Sequence, residues 1–254
     1  AEDGQVWYNS TTGNLRLQGV GVGAWSSGAN LSTARADLAG AGTQTAGLAM
    51  AGIDRPATPK NVSEEYNGSG WAAGGTTPGA KSQCAGCGSQ TAAIVFGGTS
   101  SSNTTFEYDG TSWTAGGALT ASAGQARAGH GILTAGGAVA GYKTSGNAVI
   151  NNYETYDGTS FTERADLNTA RQTLAASGST TAALAAGGTS SVGPGGSQTG
   201  LTNVESYDGS SWSEITEVNT GRKAATSFSG GPAPTMIFVG GASASTVYSK
   251  VVLT

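Results

Sequence analysis

The stretch NVESYDGSSW at residues 203–212 decides the fold, because the chain has already written TTFEYDGTSW at 104–113 and NNYETYDGTSF at 151–161. A catalytic signature needs to appear once, so near-copies point first to architecture. Asp-Gly and Asn-Gly between strand-like runs signal hairpins, and the expectation is a type I′ turn with positive φ at both central residues. The aromatic then begins the strand after the turn. The same close is found at Tyr66-Asn67-Gly68, Tyr108-Asp109-Gly110, Tyr156-Asp157-Gly158 and Tyr207-Asp208-Gly209.

Working outward from this close, the aromatic markers Trp25, Trp71, Trp113, Phe161 and Trp212 are separated by 46, 42, 48 and 51 residues. Ten residues after four of them stands a basic residue: Arg35 in NLSTAR, Lys81 in TTPGAK, Arg171 in DLNTAR and Arg222 in EVNTGR. The third copy has Ala123 there and Arg127 follows late. Next comes an apolar run closed by small residues, as in AGLAMAG ending at Gly52, AAIVFGG at Gly98, GGAVAG at Gly141, AALAAGG at Gly188 and MIFVGG at Gly241. A variable polar loop follows each run. Every unit therefore reads as four short strands. Helical periodicity is absent, and glycine at this density would cost about 1 kcal/mol at each helix-interior position.

A four-stranded sheet repeated five times at roughly 40 to 50 residues implies an all-β, five-bladed β-propeller. Small residues suit the place where inner strands converge, and Tyr and Trp fill the widening gap between blades. The last copy ends in TVYSKVVLT (246–254) with no Trp strand after it, whereas VGAWSSG (22–28) lacks partners before it. Joining them closes the last blade with an N-terminal strand as its outermost member. The expected domains are an N-terminal hairpin or attachment segment, residues 1–20, with QVWYN and NLRLQ around STTG, and a propeller over 21–254.

The order of Gly doublet, acidic-x-Tyr-Asp element and Trp resembles the kelch repeat over roughly residues 25–248, with a short Tyr-to-Trp interval as in Tyr207 to Trp212. The segment GQVWYNSTTGNLR is similar to elements in tail-fibre and other appendage proteins of bacteriophages, and kelch-like arrays rich in Ala, Gly, Ser and Thr are similar to those of marine phage structural proteins. The resemblance implies a virion protein, with the propeller as the head of a fibre, other virion proteins as partners and a homotrimer through the fibre.

Composition narrows the function classes. Lys+Arg 12 against Asp+Glu 16, a net charge of −4, gives no basic footprint for nucleic acid. The longest apolar runs, such as AAIVF at 92–96, are strand-sized, so no membrane insertion is expected. The opening AEDGQ shows no basic segment followed by an apolar core, so no signal peptide is visible, and a processed or trimmed product is a reading the opening allows. Cys84 and Cys87 in CAGC would need more ligands for zinc than His130 supplies. Cys84 aligns with Leu38, Leu174 and Ala225, so both cysteines read as small core residues.

His130, the only histidine, would have to serve any Ser/His/Asp triad, and no G-x-S-x-G elbow accompanies it. It reads as an ordinary histidine in or beside a strand. Glu65, Glu107, Glu154 and Glu205 recur with the tyrosines, which suits hydrogen bonding to turns or neighbouring blades. Sialidases are propellers with a catalytic Tyr and an arginine cluster, but the arginines here are periodic. One carboxylate per Asp-Gly turn falls short of a calcium site, and GVGVGAW at 19–25 lacks the Lys-Ser/Thr of a phosphate loop. No cofactor, metal or enzymatic activity is expected.

Recognition is then expected in the loops, which differ most between copies: IDRPATPKN from residue 53, TSSSNT from 99, YKTSGNAV from 142, TSSVGPGGSQTG from 189 and ASAS from 242. Asp54, Arg55, Tyr142 and Lys143 are the candidate ligand-binding residues. The expected function is a non-enzymatic virion adhesin contacting a host cell-surface glycan or protein. The alternatives are a capsid or tail decoration docking other virion proteins, and a free five-bladed lectin.

Overall fold

A computed structural model of the chain describes residues 6–9, 14–17, 28–54, 56–99, 102–120, 124–192, 199–228 and 235–243. Strand β1 (Val6–Asn9) pairs antiparallel with β2 (Asn14–Leu17), Val6 facing Leu17, as the hairpin expected at the N-terminal end. The first large sheet contains β3 (Ala39–Gly42), β4 (Gly47–Met50), β5 (Ile53–Asp54), β6 (Thr58–Tyr66) and β7 (Trp71–Lys81), with β5 pairing with the start of β6. Three four-stranded antiparallel meanders follow. They are β8 (Ala85–Gly88) to β9 (Ala93–Phe96), β10 (Thr105–Tyr108) and β11 (Trp113–Gly116); then β12 (Ala128–Ile132), β13 (Ala135–Lys143), β14 (Ala148–Tyr156) and β15 (Phe161–Glu163); then β16 (Ala175–Gly178), β17 (Ala183–Ala186), β18 (Val204–Tyr207) and β19 (Trp212–Glu214). Strands β20 (Thr226–Phe228) and β21 (Ile237–Val239) form a fifth pair. The protein is thus all-β, with a propeller-like series of antiparallel sheets. The expected closure by residues 22–28 and 246–254 lies outside the described residues.

The first strands of all five units, β3, β8, β12, β16 and β20, line one channel of about 540 Å3. A single backbone device links them. Asp37, Gln83, Ala126, Thr173 and Ala224 each enter the channel wall with φ between 51° and 55°. None is glycine, so each left-handed residue costs of order 1 kcal/mol. The conformation turns each peptide sideways, towards the next sheet. Gln83 donates its N–H to the Asp37 carbonyl at 2.9 Å, Ala126 to Gln83 at 2.9 Å, Thr173 to Ala126 at 2.9 Å and Ala224 to Thr173 at 2.8 Å. The result is a belt of hydrogen bonds running from sheet to sheet.

Side chains fill the space between sheets farther out. Met50, Cys84, Val95, Tyr108 and Trp113 pack between the first and second; Ile94, Cys87, Tyr156 and Phe161 between the second and third; Val139, Tyr153, Tyr207 and Trp212 between the third and fourth. Each Tyr faces the aromatic that follows its turn, with ring centroids 5.1 Å apart for Tyr66–Trp71 and 4.7 Å for Tyr108–Trp113. A buried Trp removes roughly 200 Å2 from water, worth about 5 kcal/mol against an extended chain.

The Asp-Gly turns differ from the type I′ expectation. Four residues, Asp109 to Ser112, connect the facing pair Tyr108 and Trp113, and only Gly110 has positive φ, at 94°. The aspartate replaces the second left-handed residue by a side-chain clamp. Its Oδ1 accepts from the Thr111 N–H at 2.8 Å and the Ser112 N–H at 2.7 Å. Asp157 and Asp208 do the same with Thr159/Ser160 and Ser210/Ser211. These bonds favour the ionised carboxylate and hold Asp157 and Asp208 down to about 2, with Asp109 also well below the usual range.

The small-residue doublets have a specific cause. Both residues have positive φ, for example Ala51 at 57° with Gly52 at 103°, and Gly97 at 68° with Gly98 at 106°. Alanine is accepted first, as at Ala51 and Ala140, but a Cβ on the second residue would lie 2.8 Å from the Ala36 carbonyl at Gly52 and 2.9 Å from the Ser82 carbonyl at Gly98. The twist pulls the first carbonyl out of the sheet ladder, and a buried cation takes it. Arg35 donates to Ala51 O and Val62 O at 2.8 Å each; Lys81 to Gly97 O at 2.8 Å and Thr104 O at 2.9 Å; Arg127 to Ala140 O at 2.8 Å; Arg171 to Gly187 O at 3.4 Å and Asn203 O at 2.8 Å. This is the role of the periodic basic residue.

Three of these cations meet a buried glutamate two residues before the Tyr: Arg35–Glu64 at 2.9 Å, Arg127–Glu154 at 3.0 Å and Arg171–Glu205 at 2.9 Å. The other carboxylate oxygen accepts from the connection leading into the first strand of the unit, at Ser32 N, Thr120 N and Asn168 N, each 2.7 Å away. Glu65 and Glu107 are a different set. Alternation along the strand turns them to the opposite face, where they accept from the hydroxyls of Tyr108 and Tyr156 in the next sheet. The second unit changes three positions together: Lys81 for Arg, Phe106 for Glu, and Pro78, which has no N–H, for Ser32 or Asn168. There the ammonium lies 4.9 Å over the Phe106 ring and also donates to Thr104 Oγ1 at 2.7 Å.

Two outcomes follow from these nodes. Glu205→Gln strands the Arg171 guanidinium without its counter-charge and should cost about 3–5 kcal/mol in urea denaturation; a loss below about 1 kcal/mol would remove the node from the structural account. Burial pushes Lys81 down to about 8, below the unfolded value near 10.4. Between these values the unfolded chain holds the extra proton, so stability rises with pH by up to about 1.4 kcal/mol per pH unit. The buried thiols Cys84 and Cys87, pushed up to about 11 and about 12, act the other way above about pH 8.5. The lysine contribution is therefore measured as the difference from Lys81→Arg over pH 8–10.

Candidate functional site at the loop end

The doublets deliver the chain to one end of the sheets, where the variable loops begin. The first loop residue is fastened by backbone bridges to the start of its own unit: Ile53 to Ala36, Tyr142 to Gln125, Thr189 to Gln172 and Ala242 to Lys223. In the second unit Thr99 donates to the Ser82 carbonyl at 2.9 Å. Each loop thus leaves from an equivalent rigid platform while its sequence is unconstrained.

Asp54 is the second loop residue of the first unit. Its Oδ2 lies 2.5 Å from Lys60 Nζ, and its Oδ1 accepts from the Thr58 N–H at 3.2 Å. The bond from Lys60 holds its carboxyl below the usual value. Asp54 borders a cleft of about 450 Å3 with Ala34, Asp37 and Pro56. Arg55 lies outside the described residues. Tyr142 exchanges both backbone bonds with Gln125 at 2.8 Å and donates its hydroxyl to Asn147 Oδ1 at 2.5 Å. Lys143 faces Ala148 across the hairpin.

Asp54 belongs to the first sheet, Tyr142 and Lys143 to the third, and among the described residues no hydrogen bond or ion pair joins the two groups. The candidate residues therefore occupy separate positions and do not share one pocket. Sequence reasoning passed over Lys60, although it lies in the same quoted loop, IDRPATPKN, as Asp54. At the surface such a pair adds little stability; it orients two charged groups towards solvent.

The residues weighed for catalysis are placed elsewhere. His130 lies on β12 opposite Gly137, stacked on Tyr153 at 5.7 Å, and burial pushes its imidazole down to about 4. A Cβ on Gly137 would fall 2.1 Å from its Nε2, so the glycine makes room for the ring. Cys84 and Cys87 are free, buried and an odd number of residues apart, which turns them to opposite faces of one sheet. Among the described residues no group of three His, Cys, Asp or Glu side chains is placed to hold a metal. Arg35, Arg127 and Arg171 are each enclosed with their own glutamate. Of the three only Arg127 borders the channel, so they form no cluster there.

No protein-family model and no curated protein matches the chain. Among solved structures, it is similar to that of YjhT, a β-propeller, with a TM-score of 0.66 and 13% sequence identity over 83% of this chain and 78% of that one. At this identity the likeness concerns the fold. The chain therefore shares a propeller-like, all-β architecture with YjhT.

Proposed function

We propose that the chain is a kelch-like, five-bladed propeller forming the head of a bacteriophage appendage, and that it binds a host-surface glycan or protein without catalysing a reaction. The observation carrying this reading is the contrast between fixed and free parts. Buried cations, doublets and loop-anchoring bridges repeat from unit to unit, whereas the length and chemistry of the connections change most at one end. That is the division of labour of a binding scaffold. Several weak contacts on one rigid face would add avidity, and the paired Asp54–Lys60 and the Tyr142 hydroxyl supply polar groups for such contacts. The inaccessible histidine, thiols and arginines favour binding over catalysis. The separate β1–β2 hairpin suits attachment to other virion proteins, in a homotrimeric fibre.

Five channel-lining strands joined by four belt bonds favour closure by a fifth contact between Ala224 and Asp37, with the segment around Trp25 completing the last blade. Deleting residues 1–18 should leave the melting temperature nearly unchanged. Deleting 1–27 should lower it by roughly 10 °C or more through loss of one strand and its aromatic; equal melting of the two truncations would refute N-terminal closure.

Binding is tested with labelled chain on intact cells of the particle's host and on a glycan array. Cell binding that falls several-fold in a Tyr142→Ala/Lys143→Ala variant of unchanged melting temperature is the expected result. Immunogold labelling separates the alternatives: a distal fibre tip supports adhesion, a capsid or tail joint would replace it with decoration, and absence from particles with specific sugar binding would replace it with a free lectin.

A further inference from the structure

The opposite end of the sheets carries an unexplained exchange of charge. At the first boundary Tyr108 donates its hydroxyl to Glu65, and Gly74 lies against that hydroxyl, where a Cβ would come within 3.4 Å. At the second, Tyr156 donates to Glu107 beside Gly116. At the third boundary the Tyr is kept, as Tyr207, but both partners change: Thr155 stands at the glutamate position and Arg164 at the glycine position. A carboxylate has been removed and a guanidinium brought in.

The consequence is a cleft of about 290 Å3 bordered by Thr155, Asp157, Thr162, Arg164, Thr180 and Tyr207. Gln90, which spans the first boundary by donating to Gly47 O at 3.0 Å and Tyr66 O at 2.7 Å, is replaced here by the shorter Thr180. Tyr207 is 2% exposed, borders the cleft, and its hydroxyl has no partner among the described residues. Arg164 spends only its Nε, on Thr155 Oγ1 at 2.9 Å, and forms no ion pair among the described residues. The one carboxylate on the rim, Asp157, is occupied by Thr159 and Ser160 of its own turn.

We propose that this cleft binds an acidic sugar, whose carboxylate takes the place that Glu65 and Glu107 occupy at the other boundaries. The Tyr207 hydroxyl and the free edge of the Arg164 guanidinium are donors suited to a planar carboxylate. The threonine hydroxyls suit ring hydroxyls, and the volume suits a single pyranose. The site lies at the hairpin-turn end, away from the variable loops, so it stands apart from the virion reading.

Calorimetric titration of the whole chain with glucuronate tests the proposal, with methyl glucoside as the neutral control. Glucuronate should bind at least roughly tenfold more tightly than the neutral sugar, the value of one charge-assisted bond, and weaken with salt. The paired change Thr155→Glu with Arg164→Gly rebuilds the arrangement of the first two boundaries. It should keep or raise the melting temperature while weakening glucuronate roughly tenfold or more, and Tyr207→Phe should weaken it with the fold intact. Equal binding of both sugars, no binding of glucuronate at tens of millimolar, or full affinity in the paired variant would overturn the proposal. Preference for an acetylated dipeptide carboxylate over glucuronate would overturn the sugar assignment.

Discussion

The structure depends on a buried cation taking a carbonyl that the sheet has given up. Two consecutive left-handed residues end the second strand of four units and interrupt that of the third at Ala140–Gly141, and their twist redirects the chain towards its loop. Without a donor, the freed carbonyl would be a buried, unpaired polar group costing of order 1–3 kcal/mol. Arginine or lysine resolves this, and the glutamate is the cation's counter-charge. The second unit shows which part is indispensable: Lys81 retains the carbonyls while the carboxylate is exchanged for the Phe106 ring and Thr104. Desolvation limits what such pairs add to net stability. Their main effect is to leave one arrangement in which every group at the node is matched.

From that node the remaining geometry follows in two directions. Inward, the residues just after the basic position become left-handed and form the belt from Asp37 to Ala224. Outward, the bridge after each doublet sets the loop's departure point. Scaffold and loop departure points are thus built from one local motif.

Much of this was legible in the sequence, for physical reasons. Strand alternation, Asp-Gly turns and an aromatic once per unit fix the four-stranded sheets, and burial of Trp113, Phe161 and Trp212 follows the expectation for packing aromatics. The turn type was misread because dipeptide statistics describe backbone preference, whereas Asp109 acts through its side chain. Glu64 was missed, and Glu65 was grouped with Glu154, because proximity to Tyr was counted without parity along the strand. The function of Arg35 needed the third dimension: its acceptors, Ala51 and Val62, lie 16 and 27 residues away. One clue was present, since Lys81, Phe106 and Pro78 depart from their counterparts in the same unit. The candidate residues Asp54, Tyr142 and Lys143 were read as loop residues but lie at strand ends, in β5 and β13; their placement on separate sheets follows from their different repeat copies.

The third unit holds its glutamate from an unexpected place. Counting back from the left-handed Ala126, the arginine position is occupied by Gly124, and Arg127 reaches Glu154 from three residues farther on, at the position of Leu38 and Leu174. The preceding connection is one residue longer than in the other units, Ala126 standing 13 positions after Trp113 where its counterparts stand 12 after their aromatic. What duplication and drift preserve here is a location of charge in space, not a residue number. This stretch is accordingly a natural port for inserted peptide, since added length can be absorbed without disturbing the neighbouring repeats.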